Sequence, residues 1–165
     1  MVTLAMMIIL EALRVMDTRF MLMRALPVQI LLVEDDEIDQ MAVRRAFRRS
    51  QIDNDIVIAG DGLEALEILR GEHEEKTIDG PFIILLDLNM PRMGGLEFLE
   101  EVRKDDQLGR CVVFVLTTSD DEGDIAAAYG ANVAGYIVKS RVGESFKDLV
   151  GVLDPYWKLV QLPAV

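Results

Sequence analysis

The chain has few of the residues on which several protein classes depend. Its one cysteine, Cys111, leaves no partner for a disulfide within the chain, which fits the reducing cytoplasm. Its one histidine, His73, lies in the acidic run GEHEEK, which we expect to be a solvated loop and thus a poor position for a catalytic base. Only 17 basic residues face 29 acidic ones, and the net charge of −12 argues against nucleic acid as a partner, because phosphate backbones need basic side chains.

The first 26 residues do not indicate a membrane segment. Their unbroken apolar run, Leu4 to Leu10, falls well short of the roughly 18 residues that a spanning helix needs. No basic segment precedes this run, so a secretory signal is not indicated. Glu11, Arg14 and Thr18 recur at helical spacing. Residues 1–26 are therefore either an amphipathic arm that packs on a partner chain or the result of a start codon assigned too far upstream.

Apolar runs alternate with helical patterns from Val28 onward. The runs are continuous rather than alternating, which is typical of strands buried on both faces. The predicted strands are Val28–Val33, Ile56–Ala59, Phe82–Leu86, Cys111–Leu116 and Val133–Val138, and the predicted helices are Glu37–Arg49, Asp61–Arg70, Gly95–Lys104, Asp120–Tyr129 and one that starts with Glu144–Leu153. They predict an α/β fold in one domain, residues 27–154: a five-stranded, doubly wound parallel sheet flanked by five helices.

Polar side chains follow four of these runs. Asp35 and Asp36 follow the first, Asp87 the third, Thr117 the fourth and Lys139 the fifth. Parallel strands end at one edge, and for the strand order 2-1-3-4-5 the crevice lies between the first and third strands. Clustered carboxylates repel one another, and Mg²⁺, which prefers carboxylates, waters and phosphate, relieves that repulsion. The sequence therefore predicts a site for a divalent metal and a phosphoryl group.

Four motifs, VEDD, LLDLNMPRMGGLEFL, VLTTS and GYIVK, occur in this order between residues 28 and 153. Together they resemble the CheY-like receiver domain of two-component response regulators. The resemblance implies a flavodoxin/CheY-like fold. The C-terminal sequence YWKLVQLP also looks like that of the small stand-alone regulators paired with phytochrome-type histidine kinases.

The resemblance implies a phosphoacceptor and a set of metal ligands. Asp87 would accept phosphate from a phosphohistidine of a partner kinase. Asp36, Asp87 and the backbone carbonyl of Asn89 would hold Mg²⁺, and Asp35 would mainly orient the site. The chain would then be a phosphoacceptor rather than an enzyme.

The resemblance also implies roles for three residues near the ends of the last two strands. Lys139 would pair with Asp87 and then with the phosphoryl oxygens. Thr117 would bond a phosphoryl oxygen, and Tyr136 would follow it inward as a switch; otherwise they are a strand-end cap and a packing residue. The family usually has proline after this lysine, often with a cis bond. Ser140 stands here, and because a cis bond before a non-proline residue costs about 3–4 kcal/mol, we predict a trans bond.

Few residues follow Lys139, so we expect no output domain and signalling by protein contact. A downstream protein would bind the face formed by the fourth helix, fifth strand and fifth helix. A basic band on the first helix would dock the kinase or is simply a solvated face; it comprises Arg44, Arg45, Arg48 and Arg49.

The tail, residues 155–165, predicts a homodimer. Pro155 is unfavourable inside a helix, so the last helix should end or kink near Leu153. Five apolar residues would then project as an interface: Tyr156, Trp157, Leu159, Val160 and Leu162. The alternative is that the tail folds back on its own sheet.

Three other functions are open to the same fold. A flavodoxin-like FMN protein needs a hydroxyl- and glycine-rich first loop, whereas this loop is EDDEID. A phosphatase with an aspartyl nucleophile would usually carry a second aspartate where Asn89 stands. A phosphorylation-independent, receiver-like binding module is the alternative that retains the family.

Overall fold

Five parallel strands and five helices alternate in a computed structural model that describes residues 27–143 and 146–163. The strands are β1 Gln29–Val33, β2 Ile56–Ala59, β3 Phe82–Leu86, β4 Val112–Thr117 and β5 Gly135–Val138, and the helices are α1 Glu37–Arg49, α2 Gly62–Leu69, α3 Gly95–Lys104, α4 Glu122–Gly130 and α5 Lys147–Leu159. The sheet order is β2-β1-β3-β4-β5, which confirms the predicted doubly wound sheet. The predicted N-terminal arm lies outside the described residues, and none of the described helices is long and apolar enough to cross a membrane.

Both faces of the sheet are covered, which explains why the strands are continuously apolar. Successive residues of β1 alternate between the two cores: Ile30 and Leu32 join one, Leu31 and Val33 the other. Helices α1 and α5 cover the first face, and α2, α3 and α4 cover the second. This layering leaves the ends of the strands open for a site.

Helix boundaries follow the capping residues. The carboxylate of Asp61 accepts a hydrogen bond from Glu64 N at 3.0 Å and caps α2, which therefore begins at Gly62 rather than at Asp61. The carboxylate of Asp121 caps α4, so that helix begins at Glu122 rather than at Asp120. Strand β4 continues to Thr117, one residue further than predicted.

The C-terminal helix differs from the prediction. Helix α5 does not end at Leu153 but runs through Pro155 to Leu159. Proline inside a helix costs about 3 kcal/mol, and fully burying a large apolar side chain returns about 1.5–3 kcal/mol. Two rings of the last turn supply that burial: Trp157 lies 6.0 Å from Phe47, and Tyr156 packs edge-on against Phe114 at 5.0 Å, centroid to centroid.

Most of the predicted projecting tail therefore packs on its own domain. Trp157 is buried, and Tyr156 and Leu162 pack against the same core, so the prediction that these three project past the domain is wrong. Leu159 and Val160 are exposed, as predicted, to 84% and 42%.

Candidate functional site

Four side chains of the candidate site lie at the edge where the strands end, here called the carboxyl edge. Glu34 directly follows β1 and Asp87 directly follows β3, which is its neighbour in the sheet. Thr117 is the last residue of β4, and Lys139 follows β5. Because the strands are parallel, their ends place these side chains along one edge.

Three carboxylates form the acidic part of the site. Oxygens of Glu34, Asp35 and Asp87 lie within 4.8 Å of one another. Glu34 and Asp87 are buried, whereas Asp35 is exposed. The backbone N–H of Leu88 donates a 2.9 Å hydrogen bond to Asp87 Oδ1. Two buried acids beside a third, exposed acid give a strongly negative crevice that is open to solvent on one side.

Asp36, which the family resemblance names as a metal ligand, does not belong to this cluster of Glu34, Asp35 and Asp87. Its Oδ1 accepts hydrogen bonds from Ile38 N at 2.7 Å and Asp39 N at 3.1 Å, which makes Asp36 the N-cap of α1. A cap must stay at the helix start to satisfy those N–H groups. Glu34, to which the sequence analysis gave no role in the site, lies in this cluster at the carboxyl edge.

Lys139 supplies the positive charge of the site. Its Nζ lies 2.7 Å from Glu34 Oε2, 2.6 Å from Asp39 Oδ2 and 3.7 Å from Asp87 Oδ2. Burial alone would lower the pKa of Lys139, but the hydrogen bonds that its ammonium donates to Asp39 and Glu34 outweigh burial and raise the pKa. The predicted Lys139–Asp87 pair is present, although two other acids are closer. No cis peptide bond occurs among the described residues, so Lys139–Ser140 is trans, as predicted.

Glu34 has an unusual protonation equilibrium. Burial raises its pKa from 4.5 to about 7, against the lowering effect of Lys139 and with a further contribution from the charge of Asp87. A carboxyl group with such a pKa is only partly ionised near neutrality without a cation. A divalent metal would favour its ionised form.

Thr117 and Tyr136 are linked through Ser119. The Ser119 N–H donates to Thr117 Oγ1 at 3.3 Å, and the Tyr136 hydroxyl donates to the backbone oxygen of Ser119 at 3.1 Å. Thr117 is fully buried, and Tyr136 is half-buried against the core. The structure thus connects the two residues that the family resemblance names as the switch.

The loop after Asp87 is fixed at two points. Gly95 approaches so closely that a Cβ there would overlap the carbonyl oxygen of Asp87 and lie 2.8 Å from Leu88 Cα. Arg92, in a left-handed conformation with φ 62°, pairs with the buried Asp61 at the start of α2. Asn89, which lies between Leu88 and Arg92 in this loop, is exposed. The Arg92–Asp61 contact was not predicted, since nothing in the spacing brings these residues together.

The side chains suit a hard divalent cation. Mg²⁺ takes oxygen ligands, usually one or two carboxylates with waters and phosphate oxygens. Three carboxylates are available, of which that of Asp35 is exposed to solvent and those of Glu34 and Asp87 are buried. His73, by contrast, has a structural contact in the loop before β3: its Nδ1 accepts hydrogen bonds from Glu75 N and Lys76 N, each 3.1 Å long.

Comparison with known proteins agrees with this geometry. The family model described as the response regulator receiver domain matches residues 30–150. The response regulator Rcp1 of Synechocystis sp. is 39% identical over 139 residues, covering 84% of this chain and 95% of Rcp1. Among solved structures, the Mn²⁺-bound form of Rcp1 has a TM-score of 0.73 at 39% identity, with 84% of this chain and all of the other covered. The phosphorylated cyanobacterial phytochrome response regulator RcpA has a TM-score of 0.75 at 36% identity, with the same coverage. The chain therefore belongs to the response regulator receiver domain family.

Proposed function

We propose that the chain is the phosphoacceptor of a two-component phosphorelay, phosphorylated on Asp87 in a Mg²⁺-dependent reaction. The position of Asp87 carries this proposal. Its buried carboxylate lies at the end of β3, within 4.8 Å of two other carboxylates and 3.7 Å from the ammonium of Lys139. That combination of a nucleophile and one fixed positive charge suits the acceptance of a phosphoryl group.

The chemistry is a simple exchange at phosphorus. A carboxylate oxygen of Asp87 would attack the phosphorus of a phosphohistidine, and the P–O bond would form as the P–N bond breaks. The electron pair of that P–N bond returns to the imidazole of the kinase. Phosphoryl transfer needs mainly positioning and charge neutralisation, which the Leu88 N–H and Lys139 provide from the protein side.

Asp35, Asp87 and the backbone carbonyl of Asn89 would hold the Mg²⁺ ion, with Glu34 supporting them from the buried side. When bound, the ion would neutralise charge on the phosphoryl oxygens. Thr117 would then donate its hydroxyl hydrogen to a phosphoryl oxygen. Tyr136 would leave the Ser119 carbonyl and turn inward, which changes the surface around α4 and β5.

The partners follow from the same surfaces. A histidine kinase, of the phytochrome type in view of the similarity to RcpA, would dock beside the carboxyl edge. The exposed basic side chains of α1 suit an acidic kinase surface; they are Arg44, Arg45, Arg48 and Arg49. A downstream protein would read the face formed by α4, β5 and α5. We place this exchange in the cytoplasm, in keeping with the single, unpaired cysteine.

We also propose that the chain forms a homodimer, although fewer exposed apolar residues support this than the sequence predicted. Three exposed apolar residues lie on or next to α5: Val152, Leu159 and Val160, at 54%, 84% and 42% exposure. Light scattering on the full chain tests it directly. A monomer at tens of micromolar would exclude a stable dimer.

Intact-mass measurement with acetyl phosphate and Mg²⁺ tests the proposed function. The wild-type chain should gain one phosphate, and Asp87→Asn should gain none. Asp53→Asn is the matched control because this exposed residue precedes β2, at the opposite edge of the sheet. A wild-type chain that takes no phosphate from acetyl phosphate or from any kinase would favour the phosphorylation-independent binding module.

A further inference from the structure

Asp39, in the first turn of α1, makes a contact that neither the motifs nor the family resemblance predicts. Its Oδ2 lies 2.6 Å from Lys139 Nζ, the shortest of the three contacts between that ammonium and the acids around it. The turn that carries Asp39 is fixed, since the Asp39 N–H donates to the capping carboxylate of Asp36. A rigid helix end therefore presents this carboxylate to the lysine.

The other two partners of Lys139 have a competing role. Glu34 and Asp87 belong to the cluster that suits a divalent cation, whereas Asp39 is not part of that cluster among the described residues. An ammonium and Mg²⁺ bound to the same carboxylates would repel each other across a few ångströms. Another anionic partner that draws the ammonium toward itself would therefore favour metal binding at Glu34 and Asp87.

We propose that Asp39 is that partner: a positioning residue that competes with Glu34 and Asp87 for the Lys139 ammonium, which frees those carboxylates for the metal and keeps Lys139 within reach of Asp87. This inference rests on the proposed function. Asp39 is suited to a reversible hold, because its side chain is 29% exposed whereas that of Glu34 is 2% exposed. Water can solvate the Asp39 carboxylate when Lys139 leaves it for a phosphoryl group. Asp36 contributes indirectly, as the cap of the turn that carries Asp39.

A double-mutant cycle read out by Mg²⁺ affinity tests the proposal. Calorimetric titration of the full chain with Mg²⁺ would compare wild type, Asp39→Asn, Lys139→Gln and the double variant. Glutamine keeps a hydrogen-bond donor beside the buried Glu34. Asp39→Asn should weaken Mg²⁺ binding about fivefold or more, but less than about twofold when Lys139 is already Gln, because coupled neighbours are not additive.

Two further variants separate this role from a general loss of charge or structure. Glu37→Asn removes one exposed acid from the same turn and should change the affinity less than about twofold. Asp39→Glu restores the carboxylate and should recover most of the wild-type affinity. The proposal would be overturned if Asp39→Asn weakened Mg²⁺ binding equally in the wild-type chain and in the Lys139→Gln variant. It would also be overturned if Asp39→Glu did not recover the Mg²⁺ affinity.

Failure of this inference differs from failure of the proposed function. A wild-type chain that binds Mg²⁺ and takes phosphate, with an Asp39→Asn variant that binds Mg²⁺ equally well, refutes only the role of Asp39. A wild-type chain that binds no Mg²⁺ and takes no phosphate refutes both.

Discussion

Replacing Gly95 by alanine should disturb the phosphoacceptor, although it removes no polar group. Gly95 is the first residue of α3, and its N–H donates to the carbonyl of Leu88 at 3.0 Å. A Cβ at this position would overlap the carbonyl oxygen of Asp87 and would lie 2.8 Å from Leu88 Cα and 2.9 Å from Leu88 Cδ2. Two of these atoms belong to the backbone, so the helix or the Asp87 loop must move.

The expected change in unfolding free energy for Gly95→Ala is the difference between two opposing effects. Overpacking a tight contact typically costs about 1–3 kcal/mol. Exchanging glycine for alanine in a helix returns at most about 1 kcal/mol. We therefore expect Gly95→Ala to lose about 1–2 kcal/mol of unfolding free energy, measured by urea denaturation. The rate of phosphorylation by acetyl phosphate should fall about tenfold or more, since small displacements of a reacting group are costly.

Gly151 provides the matched control for this substitution. It lies inside α5, and a Cβ there would meet no atom within 4 Å. Gly151→Ala should raise the unfolding free energy by about 0.5–1 kcal/mol and leave the phosphorylation rate unchanged. If Gly95→Ala is as stable as Gly151→Ala and accepts phosphate at the wild-type rate, the close approach does not position Asp87.

Three further predictions concern stability. The Arg103 guanidinium donates hydrogen bonds of 2.7–3.1 Å to the carbonyls of Ala131, Gly109, Cys111 and Asn132. Arg103→Lys should therefore lower the unfolding free energy, measured by urea denaturation, by about 2–3 kcal/mol, and a loss below about 0.5 kcal/mol would contradict this. Trp157→Ala should cost about 3 kcal/mol or more in the same assay, whereas a projecting tail would leave the stability of the monomer unchanged. In metal-free solution the unfolding free energy should fall as the pH rises from about 4.5 to about 7. The reason is that the raised pKa of Glu34 makes its carboxyl group hold a proton more tightly in the native state than in the unfolded chain. Glu34→Gln should remove this contribution to the pH dependence of the unfolding free energy in urea denaturation.

The strands could be predicted from sequence because their apolar runs are continuous. Four of the ten predicted elements match the structure at both ends: α1, β2, β3 and α3. The remaining boundaries shift where a cap or a turn decides them. Asn132, for example, adopts φ 55° beyond α4, so an asparagine supplies the left-handed residue of the turn after that helix.

The position of Asp36 as a helix cap could have been predicted from the sequence. A helix predicted to begin at Glu37 leaves Asp36 in the N-cap position, which favours aspartate. That assignment shifts the edge residues back to Glu34 and Asp35. The role of Asp39 could not be found in this way, because its contact with Lys139 joins residues that are 100 positions apart. They meet because the first turn of α1 and the residue after β5 lie at the same edge of the sheet.

The C-terminal helix shows the limit of local rules. Pro155 is unfavourable in a helix interior, and the sequence shows this much. It cannot show that Phe47 and Phe114 leave room for two aromatic rings on the far side of that proline. Tertiary burial, which the local pattern does not contain, decides where α5 ends.

The central claim is that Asp87 carries the phosphoryl group, and mapping the modified residue tests it most directly. After phosphorylation with acetyl phosphate and Mg²⁺, borohydride reduces an aspartyl phosphate to homoserine, which peptide mass spectrometry locates. We predict homoserine at position 87 alone. Homoserine at Asp35 or Asp36, or at no position in a chain that has gained phosphate, would contradict the assignment of Asp87.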